Sequence, residues 1–156
     1  MDQAFEIDEA DFPEATILSI RVKDSLMAMG KHIGGLYRMA KERGLKPDGA
    51  MYAVYYEKPE GNAPLDYEMC LPVEGPSEEL DKLEDRGGDR CLRLRVKGSY
   101  SQFGAAYAAL GKALSDRGLE MSGPPREVYT RGPLLGFMTF IPTMVTDIYF
   151  PIAKKG

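Results

Sequence analysis

The sequence predicts an α+β fold made of two tandem βαββ repeats packed about a pseudo-two-fold axis, and three observations carry that prediction. The first is an internal repeat: residues 17–55 lie without a gap over residues 91–129, and 13 of the 39 pairs are identical, against roughly 6% for unrelated sequence of ordinary composition. The second is that each copy passes from strand-like alternation to helical periodicity and back. The third is a matched closing strand, YEMCLPV at 67–73 and TDIYFPI at 146–152, with Pro72 over Pro151. A repeat of this length is a whole supersecondary unit. Two copies would form a largely antiparallel sheet with two main helices, and the seam between them is the expected place for a ligand cleft.

The elements follow in order. TILSIRV and CLRLRV alternate, so Leu18, Ile20 and Val22 face one way, as do Leu92, Leu94 and Val96, the pattern of half-buried strands. A first helix is expected over about 25–43, with Met29, Ile33, Leu36 and Ala40 on one face. A second is expected over about 99–117, with Phe103, Tyr107, Leu110 and Leu114 aligned. Ser25 and Ser99 are candidate N-caps, and Gly44 and Gly118 candidate C-cap glycines. MYAVYYE and REVYT read as the next strands. The charged, glycine-interrupted stretch 74–90 reads as a linker. The expected organisation is one domain over 1–156, with repeat one at about 16–73 and repeat two at about 91–152.

Composition narrows the function. The chain has 20 basic and 24 acidic residues and a net charge of −4, which leaves no basic footprint for nucleic acid. It has no apolar run of membrane-spanning length, and its acidic start does not read as a signal peptide. Cys70 and Cys91 suit reduced core thiols in a cytoplasmic protein rather than a disulfide scaffold. His32 is the one histidine, so neither a histidine-rich metal site nor a Ser-His-Asp triad can be assembled, and no cofactor is implied. Gly30, Gly34 and Gly35 read as close-packing positions, and Arg93, Arg95 and Lys97 as the solvated side of a strand. The nine Met, nine Tyr and six Phe with no Trp supply the adaptable surfaces that promiscuous pockets use.

The two copies disagree in two places, and function is sought there. The polar loop 58–66 is matched by the longer 131–145, which carries Leu134, Leu135, Phe137, Met138, Phe140, Ile141 and Met144. An apolar loop covers something: a bound ligand, a structural core or a second copy. The other difference is a charge, since Ala53 of the first copy becomes Glu127 in the second. Glu127 and Tyr129 would share one strand face with Val128 on the other. Buried among aromatic rings, that carboxylate would be costly and would welcome a lipophilic cation; on the surface it would pair with Arg126 or Arg131.

GPPREVYTRGP with TDIYFPI, the matching AVYYE and DYEMCLPV of the first half, and the helix KGSYSQFGAAYAALGKALSDRGL together resemble the GyrI-like small-molecule-binding family. Related domains form the drug-binding halves of multidrug-responsive transcription regulators. The resemblance spans roughly residues 16–152 and implies a tandem βαββ pair with its ligand cleft at the pseudo-two-fold. The family's buried acid in the pattern P-x-E-x-Y maps onto Glu127, and its pocket aromatic near the start of the second helix maps onto Phe103. Many members carry Trp in or near the helices, and this chain has none, so Tyr and Phe would do the stacking. The expected ligand-binding set is Glu127, Phe103, Tyr107, Tyr55, Tyr129, Phe137, Phe140 and Met144, with Tyr37, Tyr52 and Tyr56 as secondary candidates.

The resemblance implies a stand-alone module that captures hydrophobic, often cationic, small molecules polyspecifically, without contacting nucleic acid or membrane directly. The alternative it raises is a hydrolase opening strained, cyclopropanoid-type electrophiles, with Glu127 and Tyr129 as base and acid. A gyrase-inhibitor-like protein is a further reading, on analogy alone.

Overall fold

The structure is a computed structural model that describes residues 5–98, 100–131 and 145–156. The chain divides into two compact units, Pro13–Gly87 and Met1–Phe12 together with Gly88–Gly156. In chain order the elements begin with β1 (Ile7–Asp11), β2 (Ala15–Asp24), α1 (Met29–Glu42), β3 (Lys46–Pro47), β4 (Tyr52–Tyr55) and β5 (Leu65–Glu74). They continue with α2 (Ser77–Leu80), β6 (Glu84–Arg86), β7 (Arg90–Lys97), α3 (Phe103–Asp116), β8 (Leu119–Met121), β9 (Arg126–Arg131) and β10 (Val145–Lys154). From β2 to β4 and from β7 to β9 the order of strand, helix, short strand and strand is the same. The fold is α+β, with antiparallel strand pairing within each unit, as the alternation of the strands implied.

In the Pro13–Gly87 unit the strands run β4-β5-β2-β6, with β3 added to β5. The register sets Leu18 opposite Leu71, Ile20 opposite Met69 and Val22 opposite Tyr67, so these pairs share one face. Helix α1 packs on β2 and β5 through buried Met29, Ile33, Leu36 and Ala40. That is the stripe its periodicity predicted, and burying each of the three larger side chains contributes about 1.5–3 kcal/mol. The C-terminus closes as expected. Gly44 adopts φ 68°, its N–H bonds the Lys41 carbonyl at 3.2 Å, and the Leu45 N–H returns to Ala40 at 2.8 Å. These are the two bonds of a Schellman cap.

The N-terminus departs from expectation. Ser25 makes no side-chain cap bond; it precedes a 3₁₀ turn at Leu26–Ala28, and Ala28 occupies the N-cap of α1. The Asp24 carboxylate takes the Ser25 N–H at 2.8 Å, and this local bond sends the chain into a tight turn before the helix. Ser99, the matching candidate, lies outside the described residues.

The segment 74–90 carries structure of its own. It forms α2 and then β6, which pairs with β2 so that Ala15 faces Arg86. Gly87 ends that strand at φ 117°, and a Cβ there would lie 2.2 Å from the Pro13 carbonyl oxygen. Only glycine fits so close an approach.

In the other unit the strands run β1-β7-β10-β9, with β8 added to β10. Leu92, Leu94 and Val96 lie opposite Phe150, Ile148 and Thr146, forming a core with Ala106, Leu110 and Ala113 of α3. The buried line of α3 is therefore turned from the Phe103–Tyr107–Leu114 face expected from its larger side chains. Those three flank the core, partly buried. Small alanines sit beneath the helix axis where it meets the sheet, and the bulky rings fit at the margins. On the opposite sheet face the basic stripe of β7 is ion-paired, Arg93 to Asp8 at 2.6 Å and Arg95 to Asp147 at 2.7 Å.

Candidate functional site

Strand β9 alternates as its sequence predicted, with Glu127 and Tyr129 buried and Val128 between them only partly so. The register places Glu127 opposite Ile148 and Tyr129 opposite Thr146. Both residues thus lie on the face that carries the hydrophobic core. Glu127 is 7% exposed. The Arg126 guanidinium bonds Asp89 with both Nη atoms and stacks on Phe12 at 4.4 Å.

The Glu127 carboxylate is held by two phenols. Tyr107, delivered by α3, donates its hydroxyl to Oε2 at 2.6 Å, and Tyr129, two residues along β9, donates to Oε1 at 3.1 Å. An ionised carboxylate only accepts, so both phenols act as donors. Bonds to a charged group are worth about 1.5–3 kcal/mol each, which offsets a desolvation cost of several kcal/mol for a buried ion. The Tyr107 ring packs against Phe150 at 5.6 Å between centroids, so its hydroxyl is aimed from a fixed support. The result is a carboxyl group largely out of water, bonded by two phenols and set beside the hydrophobic core.

Three of the expected residues are therefore brought together: Glu127, Tyr107 and Tyr129. Phe103 lies one turn before Tyr107 on α3 and packs against the same core. Tyr55 belongs to the Pro13–Gly87 unit, where its ring stands 6.4 Å from that of Tyr67. Phe137, Phe140 and Met144, with residues 132–144 of the apolar loop, lie outside the described residues. Among the secondary candidates, Tyr52 is buried and Tyr37 half-buried, whereas Tyr56 bonds a different acid, Glu68. Both cysteines are buried free thiols, and burial pushes the Cys91 thiol up to about 11.

Sequence reasoning missed Phe150 as the support of Tyr107, and it missed a second buried acid. Glu68 on β5 is 5% exposed. Arg86 reaches across β2 to grip both its oxygens at 2.9 Å, and Tyr56 donates at 2.7 Å. Burial works to raise the Glu68 pKa, but the bonds from Arg86, Tyr56 and Ser19 outweigh it and leave the pKa lowered. A signal was present: aligning the closing strands puts Glu68 over Asp147, two acids at one position of a buried strand. Among the described residues, no three or more His, Cys, Asp or Glu side chains gather as a metal site. No helix among them is long and apolar enough to cross a membrane.

The model of the GyrI-like small molecule binding domain matches residues 5–153. No curated protein matches the sequence. The fold resembles the EcmrR C-terminal domain with a TM-score of 0.77 at 21% identity, over 97% of this chain and 99% of that one. EcmrR in a DNA complex gives 0.78 at 20% identity over 96% of this chain, which spans 58% of that protein's length. A hydrolase encoded by lin2189 from Listeria innocua gives 0.69 at 13% identity, over 95% and 92% of the two chains. At these identities the likeness is one of fold.

Proposed function

The chain belongs to the GyrI-like small molecule binding domain family, and from that premise we propose that it captures hydrophobic cationic small molecules, with Glu127 as the anionic anchor. The observation that carries this reading is a carboxylate 7% exposed, fixed by two phenol donors beside an apolar core. The two phenols orient the carboxylate. A cation arriving about 4 Å away would gain on the order of 4 kcal/mol at an effective dielectric of about 20. Each aromatic face it meets would add about 0.5–2 kcal/mol. Tyr107, Tyr129 and Phe103 form the proposed wall, and Phe137, Phe140 and Met144 complete the proposed set. Polyspecificity follows because neither charge attraction nor ring stacking demands one ligand shape.

Calorimetric titration with tetraphenylphosphonium and with neutral triphenylphosphine oxide tests the reading. The cation should bind at least about tenfold more tightly, a difference of about 1.4 kcal/mol. Equal affinities would remove the role of the buried charge.

A hydrolytic reading rests on a different observation. The Tyr107 hydroxyl lies 2.6 Å from Glu127, within reach of a base and acid pair acting on one substrate, with Tyr129 on the other oxygen. Repeated turnovers on a strained-ring electrophile, lost in Glu127→Gln, would favour it over simple capture.

A further inference from the structure

Helix α1 is built unevenly. Its C-terminal end has the Schellman closure at Gly44 and Leu45 and a favourable cation, Lys41, in the last turn. Its N-terminal end has Ala28 at the N-cap with no side-chain cap bond, and no acid in the first turn. Lys31 sits there instead, where a positive charge opposes the helix dipole. Gly30, Gly34 and Gly35 fall in the same two turns.

Among the described residues, close packing does not account for these glycines: a Cβ added at Gly30 or at Gly34 would meet none of them within 4 Å, and one at Gly35 would meet only the tip of Ile20 at 3.9 Å. Glycine weakens a helix interior because it is freer in the unfolded chain. Here that weakening has no steric reason among the described residues, and it falls on the end of the helix that already lacks a side-chain cap.

What holds this end is a small set of tethers. His32 Nε2 bonds Asp24 Oδ2 at 2.9 Å, and the buried Tyr67 hydroxyl donates to the Ser25 carbonyl at 3.1 Å. Met29 and Ile33 are buried below, while Met27 in the preceding turn is 79% exposed.

We infer that residues 25–35, the 3₁₀ turn and the first two turns of α1, open as a local unit while the rest of the helix stays folded, with the His32–Asp24 bond as the latch. Such opening draws on the low-stability end of a protein's local equilibria. It uncovers the apolar side of Met29 and Ile33 and the ring of Tyr67, which is otherwise fully buried.

Residue-resolved hydrogen exchange on the full chain decides it. Amides 33–36 should exchange at least about tenfold faster than amides 40–43 of the same helix. Gly30→Ala and Gly34→Ala should each slow the first group about fivefold, the equivalent of ~1 kcal/mol. His32→Ala should speed the first group. Equal rates in the two groups, or alanine variants that leave the first group unchanged, would overturn the inference. Both alanine variants are stabilising by design, so loss of the fold cannot obscure the result.

Discussion

Replacing Glu127 with Gln is expected to weaken tetraphenylphosphonium binding by about 30- to 1,000-fold, some 2–4 kcal/mol, the range seen when one partner of a buried charge pair is removed. The substitution keeps the size of the side chain and an oxygen to accept from Tyr107, which now stands at 2.6 Å. It removes only the charge. Neutral triphenylphosphine oxide should bind as well or slightly better, because no carboxylate has to remain desolvated beside it. Parallel titrations of both compounds against both proteins check this. Equal losses would give Glu127 a steric role, and no loss for either would separate it from the binding site.

Arg86→Ala should cost about 3 kcal/mol of folding stability, read as a lower urea midpoint at an unchanged slope. It strands Glu68, whose side chain is 6% exposed against 29% for Arg86. That partial exposure of the arginine places the cost at the low end of the range for broken buried pairs. Glu68→Gln combined with Arg86→Ala should recover part of the loss, since no buried charge is then left alone. The pH dependence has a definite sign. The Glu68 pKa is lowered in the folded state, so its contribution is complete above the unfolded value of about 4.3. It disappears as pH falls from there through the folded value. Arg86→Ala should flatten stability in that acid window.

What could be read in advance was whatever is local or repeated. The face of α1 followed from a 3.6-residue period, and Gly44 and Gly118 took the positive φ that a helix stop asks of glycine. Glu127 stood out because a charge replaced the alanine of the other copy, and it is 7% exposed. The rest depended on partners distant in sequence. IDEAD and EDR have too little apolar alternation to announce β1 and β6; they become strands because Ile7 meets Leu94 and Ala15 meets Arg86. Glu68 looked like one polar residue in a strand until Arg86, 18 residues further on, closed over it. On α3 the large side chains drew attention to Phe103 and Tyr107, whereas packing density favoured Ala106 and Ala113 beneath the helix axis.

The account turns on where a lipophilic cation sits relative to one carboxylate. A structure of the protein with tetraphenylphosphonium bound measures that directly. The account predicts the phosphorus within about 6 Å of the Glu127 carboxylate, the distance over which an opposite charge acts strongly, with the rings of Tyr107 and Tyr129 against the phenyl groups. A cation bound elsewhere, with Glu127 still closed between its two phenols, would contradict it.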